Sequence, residues 1–136
     1  MEKKDLNSIL GESKTTMNPC ISISALLFKA RNDAHITHLM QADKTLARHT
    51  AMNIFYDEIL DKIDTLVETS MGLYPATDIS VASSCKIPDP LSYFQNLYST
   101  IDTERKGVKE SFLQNQIDTI QEEISHCLYR LQYIKD

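Results

Sequence analysis

Residues 35–72 read HITHLMQADKTLARHTAMNIFYDEILDKIDTLVETSMG. Two amphipathic helical patterns meet here across a short polar turn, so the stretch predicts an antiparallel helical hairpin. It also carries His38, His49, Asp64 and Glu68, at intervals of 11, 15 and 4 residues. All four side chain types bind divalent metals. One chain cannot bring them together. At the helical rise, His49 and Asp64 lie roughly 22 Å apart along one helix. If the four residues share a metal, two chains must build the site.

The neighbouring sequence extends this hairpin into a bundle. Residues 1–18 are polar, with Lys3, Lys4 and Lys14 balanced by Glu2, Asp5 and Glu12, and read as a loose arm. Residues 19–136 read as the bundle domain. Pro19 suits a first helical turn, with Asn18 before it as N-cap, and the first helix is expected over about 19–41. Its inward face holds Ile23, Leu27, Ala30, Ala34 and His38, with Phe28, His35 and Leu39 beside them. Asp43 is the expected N-cap of a second helix over about 44–71, stopped by Gly72 and Pro75. Asp89-Pro90 has the cap-and-first-turn chemistry of a third helix start. Gly107 marks a break, and a fourth helix is expected over about 108–134, with Ile117, Ile120, Ile124, Cys127, Leu128, Leu131 and Ile134 at 3/4 spacing. The connections are short, long and short. The middle one, GLYPATDISVASSCKIP, can run the length of a bundle. The expectation is therefore all-α: a ferritin-like four-helix bundle with a long crossover between the second and third helices.

Composition narrows the function classes. The chain has 136 residues, 42% hydrophobic and 24% charged, with a net charge of −5. Bulk charge of this sign gives no support for nonspecific nucleic-acid binding. No apolar run approaches the ~18 residues of a membrane span. The three cysteines show neither CxxC pairing nor zinc-finger spacing, which favours reduced thiols and a cytoplasmic location. There is no Ser-His-Asp order, phosphate loop or nucleotide motif.

The second helix points to a partner. On a helical wheel Met52, Phe55, Ile59, Ile63 and Leu66 form one apolar stripe; Tyr56, Leu60 and Val67 form a second beside it. A deeply buried core helix accounts for both stripes. So does a helix with one stripe on the monomer core and the other on a second subunit. Under twofold symmetry the His end of one chain then meets the carboxylate end of its partner. Two equivalent sites result.

In this hairpin the chain resembles the miniferritins, the Dps-like branch of the ferritin-like superfamily. Those proteins carry a His near the end of the first helix, a second His early in the next, and D-x-x-x-E further on. His38, His49, Asp64 and Glu68 match in order, and the resemblance covers about residues 28–72. It departs in having Leu39 where the family has Trp, in a slightly shorter link between the histidines, and in lacking a Lys-rich DNA-binding tail. The resemblance implies a homodimer or larger shell that binds iron and oxidises Fe(II), for iron storage or oxidative-stress protection. Glu68 is the implied bridge between two irons, with Asp64 and the histidines as terminal ligands, so that peroxide or oxygen takes two electrons at once. Zinc and manganese suit the same donors.

The remaining candidates read more simply. His35 is either an extra ligand or a packed neighbour of His38. Asp57 and Asp61 read as a solvated face. Glu123 and His126 form an E-x-x-H that reads as a solvent-facing pair. The tyrosines at 74, 93, 98, 129 and 133 read as packing at bundle ends and interfaces. The alternative to a ferroxidase is a noncatalytic helical scaffold or interaction protein of the same fold.

Overall fold

A computed structural model describes residues 17–40, 45–75 and 77–135. Among these the chain is an all-helical bundle: α1 (Ile21–Leu39), α2 (Leu46–Met71), α3 (Pro90–Glu104) and α4 (Ser111–Tyr133), with a 3-10 turn at Arg105–Gly107.

Local chemistry sets the ends. At Asn18 the side chain accepts from the Cys20 amide (2.9 Å), and its Nδ2 donates to Ser70 Oγ at the end of α2 (2.8 Å). Asn18 is not the N-cap expected of it: that position is Cys20, without a side-chain cap, and the helix begins at Ile21 rather than near residue 19. Asn18 belongs to the packed bundle, one residue inside the expected arm. The N-cap of α2 is Thr45, whose hydroxyl accepts from Arg48 N at 3.1 Å. The expected cap, Asp43, lies outside the described residues. Asp89 caps α3 with Pro90 in its first turn, as the sequence suggests. The fourth helix starts three residues later than expected because Val108 and Glu110 are extended.

Hydrogen bonds and ion pairs fix the helix directions. His38 at the end of α1 touches His49 at the start of α2, while Asn18 meets Ser70 at the opposite end, so the two helices are antiparallel. The connection after α2 then runs back along α1. Ser84 Oγ donates to the Lys29 carbonyl, the Cys85 amide to Asp33 Oδ1 and the Ile87 amide to Thr37 Oγ1, a rising series on both sides. Helix α3 descends beside α1, with Tyr93 on Asp33 near one end and Ser22 on Glu104 at the other. Helix α4 rises beside α2, through Gln116 on Thr69 and then Lys62 near Glu123. Each helix therefore has two antiparallel neighbours.

A single apolar core fills the space between them. All five residues of the first α2 stripe are fully buried. Phe55 meets Phe94 of α3 edge-to-face at 4.8 Å, a geometry worth ~0.5–1.5 kcal/mol beyond area burial. On α1, Ile23, Leu27, Ala30 and Ala34 are buried as expected; Leu39 is 70% exposed.

Candidate metal site

The seam between α1 and α2 holds a cluster of aromatic rings. His38 and His49 stack at 3.9 Å between centroids and 26° between planes. His35 lies flat on Tyr56 at 4.1 Å and 12°. The Tyr56 ring meets His38 edge-on at 5.4 Å. Arg31 of α1 donates Nε to the Tyr56 carbonyl at 3.3 Å, tying the helices together beneath the rings. All three imidazoles and the phenol are half-buried. The structure thus brings the two histidines of the sequence pattern together within one chain. It places His35 next to them as a packed ring.

One hydrogen bond selects the tautomer of the neutral His38 ring. Its Nδ1 lies 3.2 Å from the carbonyl oxygen of His49. A carbonyl only accepts, so Nδ1 carries the proton and donates. In the neutral ring, Nε2 then keeps its lone pair. Fixing one ring nitrogen by a backbone carbonyl is the usual way a metal-binding imidazole is oriented. The stacked rings do not aim both lone pairs at one point, since those lone pairs lie in the ring planes. One ring must turn for the two to grip a common ion.

Asp64 and Glu68 lie elsewhere. Both are exposed on α2, one turn apart on the same face, some four turns beyond His49. Among the described residues no group of three or more His, Cys, Asp or Glu side chains converges on a metal position. The sequence expectation that one chain cannot assemble all four residues is met by this separation. The second α2 stripe lies between the two halves, with Tyr56, Leu60 and Val67 all half-buried rather than covered.

The other candidates resolve as follows. Asp57 and Asp61 are exposed. The E-x-x-H reading needs correction: His126 is exposed, but Glu123 is 7% exposed and faces Lys62 and Arg130, each at 3.8 Å. The interior pull comes from those two cations, one on α2 and one on α4. Cys20 and Cys127 are buried, and burial pushes their thiols up to about 11 and about 12, so both stay protonated and unreactive. Cys85 is exposed.

Sequence reasoning missed Asp33. It is 1% exposed and accepts from Lys29 Nζ (2.6 Å), the Tyr93 hydroxyl (2.6 Å) and the Cys85 amide (3.0 Å). Its position among apolar residues of α1 was the available signal, because a carboxylate on an inward face needs partners. Tyr93, read as a packing residue, is one of them.

A model of a family of unknown function, DUF5856, matches residues 38–131. The chain belongs to that family. The matched span begins at His38 and includes His49, Asp64 and Glu68. No curated protein and no solved structure matches the chain. Among the described residues no helix is long and apolar enough to cross a membrane.

Proposed function

We propose that this DUF5856 protein is a miniferritin-like ferroxidase, binding Fe(II) as substrate at sites shared between two subunits. The observation that carries the reading is the layout of one helical face. The His38–His49 pair sits at one end, the exposed Asp64–Glu68 pair at the other, and a half-buried apolar stripe runs between them. A twofold axis through the middle of that stripe sets the His pair of each chain opposite the carboxylates of its partner. The order of the helices, with the long connection returning along α1, supports the ferritin-like comparison.

The residues suit iron. Neutral imidazole and carboxylate donors match Fe(II), and His38 Nε2 is held ready by the Nδ1 bond to His49. In the paired state His38 and His49 would offer nitrogen donors, and Asp64 and Glu68 carboxylate oxygens, to the Fe(II) substrate. Two Fe(II) ions give up one electron each. A peroxide oxidant accepts both, its O–O bond breaks, and two protons from solvent complete two waters. Carboxylate charge from Asp64 and Glu68 favours the Fe(III) product. The second reading is a noncatalytic helical scaffold or interaction protein of the same fold, favoured by the stacking of His38 on His49, which does not aim both ring nitrogens at one point.

Mixed dimers test the shared site. A His38→Ala/His49→Ala chain is paired with an Asp64→Ala/Glu68→Ala chain. All four losses then fall at one site, leaving the other intact. About half the wild-type rate of Fe(II) oxidation per dimer should return. An inactive mixture of chains shown to pair refutes the shared site.

A further inference from the structure

The two halves of the candidate site have neighbours at matched spacing. Seven residues before His38 on α1 stands Arg31; seven residues before Asp64 on α2 stands Asp57. Seven residues make about two helical turns, so each pair shares a face of its helix. Contacts between the helices fix the levels. His38 lies against His49, and Arg31 donates Nε to the Tyr56 carbonyl (3.3 Å), seven residues further along α2.

Charge on this face is self-complementary. Arg31 is half-buried and spends Nε on the backbone; among the described residues no carboxylate of its own chain pairs with it. Asp57 is exposed, and among the described residues no cation of its own chain pairs with it. The surface beside them is apolar. Tyr56, Leu60 and Val67 are half-buried on α2, and the side of α1 turned from the core adds Phe28, Ile36 and Leu39. Helix α1, at 19 residues, is about 28 Å long, and two helices side by side span about 20 Å. Such a face offers on the order of 600 Å² per chain, near the lower limit of a specific interface. On so small a face charge decides the register, because a wrong one sets like charges together.

A second copy of the chain is the occupant that this pattern fits. The twofold axis that sets His49 opposite the partner's carboxylates crosses α2 midway between the two groups. Arg31, level with Tyr56, then falls within ~3 Å, measured along the helix, of Asp57 of the partner subunit, inside the reach of a guanidinium. The same operation makes a second, equivalent pair.

We propose that Arg31 of each chain pairs with Asp57 of the partner subunit, and that these two ion pairs set the register in which the histidines of one chain face the carboxylates of the other. The proposal rests on the shared-site reading above. Arg31 is a positioning residue, acting through the alignment of the ligands and taking no part in the oxidation.

Charge exchange in the full chain tests it, read by the dimer dissociation constant from sedimentation equilibrium and by the rate of Fe(II) oxidation. Arg31→Glu and Asp57→Arg should each raise the dissociation constant about tenfold or more, since each homodimer sets two like-charged pairs together, while circular dichroism stays unchanged. Mixing the two variant chains should return it to within about threefold of the wild type, because the mixed dimer holds one original pair and one reversed pair. Within either variant chain positions 31 and 57 carry like charge, so a bond inside one chain cannot give this rescue. Rescued association without Fe(II) oxidation supports the pairing and counts against the ferroxidase reading alone. Normal dimerisation of either variant, or variant chains that fail to associate when mixed, overturns the pairing whatever the activity. A wild-type chain that stays monomeric at micromolar concentration overturns both the pairing and the shared site.

Discussion

Replacing Asp33 by Ala tests how the long connection is held. Its carboxylate joins α1, α3 and the connecting segment by hydrogen bonds, through Lys29, Tyr93 and the Cys85 amide. Lys29 is 30% exposed and can return to water, so its pairing counts little. The Tyr93 hydroxyl and Cys85 amide cannot both do so freely. Both bonds are part-buried, so each donor left unpaired costs about 1–2 kcal/mol, and the two share one acceptor group. The sum for Asp33→Ala is about 3 kcal/mol. For a domain of this size that lowers the thermal midpoint by about 10 °C. Asp33→Asn keeps an acceptor for Cys85 and should cost about half as much. Burial works against the Asp33 charge, but the bonds from Lys29, Tyr93, the Cys85 amide and Ser84 outweigh it and hold the carboxyl below its usual range. A lowered folded value means stability that is present above the unfolded value of about 4 and lost as pH falls through the folded one. The wild-type advantage over Asp33→Asn should therefore shrink below pH ~4. Denaturant unfolding at several pH values measures both effects. Hydrogen exchange adds a local readout: the Cys85 amide should lose protection in Asp33→Ala, while Ile87, bonded to Thr37 Oγ1, keeps more of its own. A loss under about 1 kcal/mol, or a penalty independent of pH, refutes the clasp.

Light scattering should find at least a dimer at micromolar concentration; a 15.5 kDa monomer counts against the shared site. Leu60→Glu, on the half-buried stripe, should shift that equilibrium toward monomer with little change in helicity by circular dichroism. His49→Ala and Glu68→Ala should each abolish rapid Fe(II) oxidation and leave the helical fold intact, as stopped-flow absorbance and circular dichroism will show; full activity in either excludes that residue as a ligand. In gel-shift assays at neutral pH no salt-sensitive DNA binding is expected; tight binding that falls steeply with salt contradicts the reading of the charge.

Much of this bundle is written in local chemistry. Asp89-Pro90 specifies a helix start by itself, because a carboxylate cap and a fixed φ act within one turn. The Met52–Leu66 stripe specifies the core face of α2, because helical periodicity converts spacing into direction. The separation of His49 from Asp64–Glu68 follows from helical rise alone. The start of α2 was less legible: Asp43 and Thr45 both have capping side chains, and the geometry of Thr45 toward Arg48 N is visible only in the fold. Asp33 and Glu123 were illegible for a related reason. Each is a charge that becomes tolerable inside because partners distant in sequence arrive beside it: Tyr93 and the Cys85 amide for one, Lys62 for the other. Sequence period tells which way a side chain points. Whether a charge there has an acceptor, a donor or a counter-ion depends on how helices far apart in the chain come to lie side by side. The same holds for His38. Its residue type marks it as a ligand candidate, but only the packing of α1 on α2 sets its Nδ1 on the His49 carbonyl and so fixes which nitrogen is left to bind.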